Sequence, residues 1–290
     1  MEVMVYTLHA FSTDSNGGNP AGVVLEADLL KQQDMQTIAH MIGFSETAFI
    51  QTSSIADFKI QYFTPNAEVD LCGHATIAAF YVMAYQQKIS QGTYTLECKA
   101  GLLQVTVEGN HHIFLSQALP TFYDQPNRED IIQSLHISVE ELDQRLPIEI
   151  ASTGLKDILV PIKNLEILHN ITPDFDLISQ LSKKYQVIGF HLFTLDTKNE
   201  MIAACRNFAP LYDIPEESAT GTSCGALACY LYKHKFISDQ AAIHPLAFSQ
   251  GHSMNQPSTI ISRLSIKQGK IEQIEVGGTA SNIQQRFVII

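Results

Sequence analysis

The feature that most constrains the fold is a degenerate repeat that divides the 290-residue chain into two halves. Three short landmarks of the first half return in the same order 145 to 148 residues later. They are a glycine between Ile and Phe, a Phe two residues before Pro, and a glycine that opens an apolar stretch: Gly43 and Gly189, Phe63 and Phe208, Gly73 and Gly221. Solenoid repeats have shorter periods, so a repeat this long predicts two similar domains.

Each half also shows the same local order of patterns. Residues 34–41 and 174–185 carry apolar residues at helical spacing, and each segment precedes a β-rich run. Gly73 and Gly221 then each open an unusually apolar helix, and further segments alternate in the manner of strands. We therefore predict an α+β fold in which each half is a curled sheet or barrel around a central helix. The polar residues 121–130 are predicted to link the halves.

Composition excludes several classes of function. The formal charge of −12 argues against nucleic acid and anionic membranes, which select clustered Lys and Arg. The N-terminus has no basic region typical of a signal peptide, and the longest weakly polar stretch, residues 75–85, is too short to span a bilayer. An odd number of cysteines at irregular spacing indicates a reducing compartment, so we predict a cytoplasmic protein. Without CxxC, HxH or HExxH motifs, no metal site is predicted.

Glu46 is the first candidate for chemistry. Strand alternation places it on one face with Phe44, Ala48 and Ile50. Because an apolar surrounding favours the neutral acid, we expect a raised pKa that suits proton transfer near neutrality. At an offset of 146 residues the second half has Leu192, so only one half would supply this group. The alternative is an edge-strand glutamate that faces water.

The two helix starts are the second candidate. The unpaired N–H groups at Gly73 and Gly221 would hold a carboxylate or an oxyanion, and the two starts would face one substrate across an interdomain cleft. His74, at the positive end of its helix, is expected to be a neutral imidazole that relays a proton. Glu217 is either an acid of the first turn that the helix dipole favours or a second carboxyl group that lines the cleft. The alternative at each start is ordinary capping by small polar residues.

Several motifs, spread over nearly the whole chain, are shared with one family. They are Gly18-Asn19-Pro20-Ala21-Gly22, Ser45-Glu46-Thr47-Ala48-Phe49, Cys72-Gly73-His74-Ala75-Thr76, Ala151-Ser152-Thr153-Gly154, residues 216–221 and Val276-Gly277-Gly278. In this order they resemble the PhzF-like (phenazine biosynthesis-like) family. The resemblance implies a diaminopimelate-epimerase-like fold of two pseudo-symmetric domains, here residues 1–118 with a returning strand 279–290, and residues 119–278. It also implies a homodimer and an active site between the domains.

The resemblance further implies a cofactor-independent isomerase that moves a proton between carbons of a small carboxylate substrate. Glu46 matches the family's catalytic glutamate and His74 its histidine partner. Gly73 and Gly221 match positions near the substrate, and we add Asn19 and Thr222 as substrate contacts and Glu217 as a third catalytic group. Glu217 and Thr222 stand where the family commonly has Asp and Ser, and a carboxyl group displaced by about 1 Å affects rate strongly. The substrate is therefore not transferred from the phenazine enzyme.

Two other functions stay open. One is an amino-acid epimerase that uses paired cysteines, with Cys72 at a helix start where a thiolate would be stabilised. The corresponding residue of the second half is Thr220, so one of the two thiols is missing. The other is a non-catalytic relative that binds a small molecule or a protein, since a fold alone does not prove an activity.

Overall fold

The computed structural model describes residues 1–12, 16–197 and 200–290, with only the backbone of Asn110. The chain divides into two compact units, Met1–Ser116 with Gly277–Ile290, and Gln117–Val276. The predicted boundaries lie two residues from these. Residues 121–130 do not form a linker, because they belong to the second unit and contribute a strand and a helix start to it.

The first unit contains a long series of strands and two helices. Its elements are β1 (Glu2–Ala10), β2 (Asn19–Val24), α1 (Gln32–Ile42), β3 (Glu46–Gln51), β4 (Phe58–Phe63), β5 (Glu68–Val69), α2 (Gly73–Tyr85), β6 (Gly92–Cys98), β7 (Gly101–Glu108), β8 (His112–Gln117) and, from the end of the chain, β18 (Ala280–Ile289).

The second unit has the same kinds of element with additional helices. They are β9 (Thr121–Phe122), α3 (Arg128–Leu135), β10 (Glu149–Ser152), β11 (Lys156–Pro161), α4 (Leu165–Asn170), α5 (Phe175–Tyr185), β12 (Gly189–Thr194), β13 (Ala203–Ala209), β14 (Ile214–Glu217), α6 (Gly221–Lys233), α7 (Asp239–Ala242), β15 (Leu246–Gln250), β16 (Ser258–Lys267) and β17 (Lys270–Gly278).

Strand pairing repeats between the units. In the first, the order is β18-β1-β2-β3-β4-β6-β7-β8, with β2–β3 and β4–β6 parallel and the other neighbours antiparallel. In the second, the order is β9-β10-β11-β12-β13-β15-β16, with β11–β12 and β13–β15 parallel. The short strands β5 and β14 pair with β4 and β13. The two halves are therefore structural repeats, as the sequence predicts.

The strand register corrects one detail of the repeat. The helices α1 and α5 each have eleven residues and lie 143 positions apart, as do their left-handed C-cap residues Gly43 and Gln186. The strands β3 and β12 follow at the same offset. The counterpart of Glu46 is therefore Gly189, and the pairing of Glu46 with Leu192 is wrong. The Ile-Gly-Phe landmark recurs at an offset of 146 residues, three more than the offset of the helices and strands. An alignment on this landmark therefore shifts the strand by three residues.

Two kinds of helix follow from the apolar patterns. In α1 the buried residues recur at helical spacing, which is typical of a helix packed on one side only. In α2 and α6, ten of thirteen residues are buried, so these helices need neighbours on nearly every side. The helix α2 packs against β1, β2, β3 and β18, and α6 against β10, β11 and β16. Among the described residues, no helix has the length and apolarity needed to cross a membrane.

Candidate active site

Two elements of the first unit bring Glu46 and His74 together. Glu46 is the first residue of β3 and lies beside Ala21 of the parallel strand β2. His74 is the second residue of α2, which packs on both strands. Because a strand begins and a helix begins at the same edge of the sheet, two side chains that are distant in sequence become neighbours.

The imidazole of His74 is the centre of this cluster. Its Nε2 lies 3.2 Å from Oε2 of Glu46 and 3.4 Å from the hydroxyl of Ser45. Its Nδ1 lies 3.2 Å from Nδ2 of Asn19 and 3.4 Å from Sγ of Cys72. As placed, the Asn19 amide donates to Nδ1, and flipping the amide would present its oxygen to a protonated imidazole instead. Asn19 therefore orients this histidine, a contact that the sequence did not predict.

The electrostatics of the pair are opposite to the sequence expectation. Burial raises the pKa of Glu46, but contacts with His74, Ser45 and Cys72 outweigh it and lower the pKa below its ordinary value. Burial lowers the pKa of His74, but Cys72 and Glu46 raise it well above its ordinary value. The predictions of a raised Glu46 pKa and a neutral His74 are wrong, because each group stabilises the charge of its partner.

The Glu46 carboxylate can nevertheless take a further proton. Oε2 is buried and lies 3.2 Å from Nε2 of His74, without an aligned hydrogen bond from any described residue. The Glu46 side chain as a whole is 13% exposed, so part of it can be reached from outside. An ionised carboxylate that is buried only in part is suited to act as a base.

The N-terminus of α2 is not capped by an oxygen-bearing side chain. The helices α3, α4, α5 and α7 each begin with a residue whose side chain accepts a backbone N–H of the first turn: Asn127, Asn164, Asp174 and Ser238. At the start of α2 stands Cys72, whose thiol is only a weak acceptor. Apart from its chain neighbours and the backbone of its own helix, no atom of the described residues lies within 4 Å of the position that a Cβ on Gly73 would take. The first turn of α2 therefore lacks the oxygen acceptor that those four helices have, and it leaves space beside Gly73.

The start of α6, in the second unit, has a different arrangement. Thr220 turns its hydroxyl away from the helix and donates to Glu217 at 2.5 Å. The fully buried Gln250 accepts from the N–H of Thr220 at 3.1 Å and donates to the carbonyl of Glu217 at 2.7 Å. Thr153 donates to the carbonyl of Thr222 at 3.1 Å, which gives the Ala-Ser-Thr-Gly motif a structural role. Glu217, Gly221 and Thr222 thus belong to one ordered turn.

Gln250 was missed by sequence reasoning. It lies at the end of β15, far from Thr220 in the sequence, and nothing in its local sequence distinguishes it from a surface glutamine. Only the parallel pairing of β15 with β13 carries it under the α6 start.

Asp157 gives the second unit a pH-dependent stability. Burial raises the pKa of this carboxyl group to about 6, and hydrogen bonds from Ser223 and Gly189 offset only part of the effect. The unfolded chain loses this proton near its ordinary value of 3.8, so the folded state gains stability below pH 4 and loses it as the pH rises to 6. Two pKa units correspond to about 3 kcal/mol.

We expect Asp157→Asn to remove this dependence. Between pH 4 and 7 the free energy of unfolding of the wild type should fall by about 2–3 kcal/mol relative to the variant. Urea unfolding of both proteins at several pH values measures the difference. Parallel pH profiles of wild type and variant would show that folding does not raise the pKa of Asp157.

The chain is similar over nearly its whole length to the proteins of one known family. The family model described as phenazine biosynthesis-like protein, PhzC-PhzF, matches residues 8–286. The uncharacterized isomerase YddE of Escherichia coli K12 is 33% identical over 97% of this chain and 96% of its own length. The solved PhzF-family phenazine biosynthesis protein of Bacillus anthracis has a TM-score of 0.90 at 30% identity, with full coverage of both chains.

A more distant solved structure identifies the wider fold. A hydroxyproline epimerase from Agrobacterium vitis, with bound trans-4-hydroxy-L-proline, aligns with a TM-score of 0.63 at 12% identity. The alignment covers 99% of this chain and 92% of the epimerase. The predicted diaminopimelate-epimerase-like fold is confirmed.

Proposed function

This chain belongs to the phenazine biosynthesis-like PhzC-PhzF family and is an isomerase, and from that membership we propose that it moves a proton between two carbons of a small carboxylate substrate, with Glu46 as the transferring group. The observation that carries the proposal is the ionised Glu46, whose side chain is only 13% exposed and whose carboxylate lies 3.2 Å from the imidazole of His74.

The proposed reaction begins with proton abstraction. The carboxylate of Glu46 takes a proton from a carbon beside a carbonyl group or a conjugated system, and the C–H electron pair moves into that system. Because the lowered pKa makes Glu46 a weak base, the carbon acid must be strongly activated. The uncapped start of α2 at Gly73 supplies N–H groups and a dipole that stabilise the developing negative charge.

The second step returns the proton to a different carbon. Protonated Glu46 donates, and the electron pair of the delocalised anion forms the new C–H bond, so that the proton and the electrons balance without a redox partner. His74 holds the positive charge that keeps Glu46 ionised between cycles. We assign Asn19 to the orientation of His74, Glu217 to a further acid–base role, and Gly221 with Thr222 to binding of an anionic substrate group.

The pH dependence of the rate distinguishes this mechanism from one based on a neutral glutamic acid. Glu46 must be ionised to act as a base, and its pKa lies below 4.5. We therefore expect kcat/KM to stay level from pH 7 down to about pH 5, with any acid limb at lower pH. Steady-state rates over this range measure it. An acid limb centred between pH 6 and 7 would contradict the ionised state of Glu46.

Cys72 separates the proposal from the cysteine-dependent epimerase. Burial and the Glu46 charge raise the pKa of its thiol to about 11, so the thiolate is scarce at neutral pH. Its counterpart at the start of α6 is Thr220, which has no thiol. We expect Cys72→Ser to keep the rate within about tenfold of wild type, because the thiol acts only as a hydrogen-bonding neighbour. Loss of all activity in Cys72→Ser would favour the epimerase.

The experiment that tests the function is a ligand screen followed by isotope exchange. Small carboxylic acids, including dihydroaromatic acids and amino acids, are ranked by the increase in melting temperature that they cause. Each ligand that binds is then incubated with the enzyme in deuterated water and followed by NMR. Deuterium at carbon supports the proposal, whereas ligands that bind and never exchange would overturn it.

A further inference from the structure

We propose that His191, Cys205 and Cys224 form a buried binding site for one Zn²⁺ ion in the second unit. The three side chains come from β12, β13 and α6, and their donor atoms all lie within 4.8 Å of one another. Nε2 of His191 is 3.9 Å from Sγ of Cys224. With these three residues as ligands and a water molecule as the fourth, a tetrahedral zinc site has bonds of about 2.0–2.3 Å, which place the ligand atoms roughly 3.5–3.8 Å apart. Sub-ångström movements of the side chains would therefore close the site.

The chemistry of the three donors selects the ion. Imidazole with two thiolates is a ligand set that zinc prefers, and two thiolates neutralise the charge of Zn²⁺. Neutrality matters here because the three residues are 0%, 4% and 0% exposed, and a net charge in such a place is costly.

A series of polar side chains begins at Nδ1 of His191, the ring nitrogen that faces away from Cys224. Nδ1 of His191 lies 3.2 Å from Nδ2 of Asn207, and Asn207 lies 3.4 Å from the hydroxyl of Ser223. Ser223 donates to Oδ2 of Asp157 at 2.6 Å, and the other oxygen, Oδ1, is buried without a hydrogen bond from any described residue. Metal-bound histidines typically have such an outer partner on the second nitrogen. With zinc on Nε2, the Asn207 amide would turn to accept from Nδ1–H.

The first unit shows that the fold does not require these donors. By the strand and helix register, the residues at the same three positions are Ala48, Ile60 and Thr76. Ala48 and Ile60 are ordinary buried core residues, and Thr76 bonds with the hydroxyl of Tyr62. The His–Cys–Cys set is thus specific to the second unit, whereas Glu46 and His74 belong to the first.

Because the site is sealed, the ion should enter during folding. The protein is unfolded in guanidinium with a non-thiol reductant and refolded with one equivalent of Co²⁺ as a spectroscopic substitute for Zn²⁺. We expect thiolate-to-cobalt charge-transfer bands and the intense visible bands of tetrahedral Co²⁺, at one ion per chain. After refolding with Zn²⁺, the ion should resist dialysis against a chelator under native conditions and leave on unfolding.

Matched variants locate the ion. Cys205→Ser and Cys224→Ser should each lose the charge-transfer bands, whereas Cys229→Ser, which alters a buried cysteine of the same helix as Cys224, should keep them. Cys72→Ser tests the other cluster of possible ligands, Glu46, Cys72 and His74. Absence of thiolate bands in the wild type, their survival in Cys205→Ser and Cys224→Ser, or their loss only in Cys72→Ser would each overturn the proposal.

A measurement on the wild type covers the case in which a variant does not fold. X-ray absorption at the zinc edge reports the ligand atoms directly, and we expect two sulfur scatterers at about 2.3 Å with one imidazole nitrogen at about 2.0 Å. A shell of oxygen and nitrogen alone would exclude this site. The result is independent of whether the proton-transfer function is established.

Discussion

Glu46→Gln is expected to lower turnover by about 10³-fold or more while the fold is kept. Glutamine has nearly the same shape as glutamate and retains contact with His74 and Ser45, but its amide cannot take a proton from carbon. General acid–base groups typically contribute 10² to 10⁴-fold, and Glu46 is proposed to act in both steps. The measurements are the rate of product formation and the rate of deuterium incorporation, made with a ligand identified in the screen.

The controls separate chemistry from structure. Glu26→Gln removes an exposed glutamate that pairs with Lys88 at the surface, so it should leave both rates unchanged. Glu46→Gln should still fold and bind ligand, but its melting temperature should be lower than that of the wild type, because the buried His74 loses the carboxylate that stabilises its charge. A Glu46→Gln enzyme that still incorporates deuterium at the wild-type rate would contradict the role of Glu46.

Arg206→Met is expected to lower the free energy of unfolding by about 3–5 kcal/mol. The guanidinium group is 8% exposed and makes two hydrogen bonds of 2.8 Å to the Glu216 carboxylate. It also donates to the carbonyls of Leu168 and Ile171, which tie the end of α4 to β13. Methionine fills similar volume but leaves the Glu216 charge and both carbonyls without this partner. Urea unfolding at neutral pH measures the loss.

A double variant tests the reason for this loss. Arg206→Met with Glu216→Gln should be more stable than Arg206→Met alone, because it no longer holds a carboxylate without its counter-charge. Lys184→Met breaks an exposed pair with Asp130 and should change stability little. A loss below about 1 kcal/mol in Arg206→Met would show that water replaces the arginine at this position.

The sequence predicts candidate site residues but not their electrostatics. Glu46 and His74 stand in short, specific motifs, and the structure brings their side chains together. The direction of each pKa shift depends on whether burial or a charged partner dominates, and the partner of Glu46 lies on a different element, at the start of α2. Strand alternation around Glu46 predicts only the burial of its side chain. Burial alone would raise the pKa, whereas the pKa of Glu46 in the structure is lowered.

The remaining features depend on pairing between distant segments. Gln250 reaches the α6 start through the β13–β15 pairing, and the donors at His191, Cys205 and Cys224 come from three separate elements. No short motif encodes such a set, so motif spacing alone predicted no metal site. The helix and strand register likewise replaced Leu192 by Gly189 as the counterpart of Glu46.

The sequence by itself determined the two-fold repeat, the amphipathic helix and following strand of each half, the apolar central helices and the family, because periodicity and short motifs are local properties of the chain. The tertiary structure alone decided the register of the repeat, the ion pair of Glu46 with His74, the ordered turn around Gln250 and the buried cluster of the second unit. These depend on which residues meet across strands and helices, and on the balance of burial against charge where they meet.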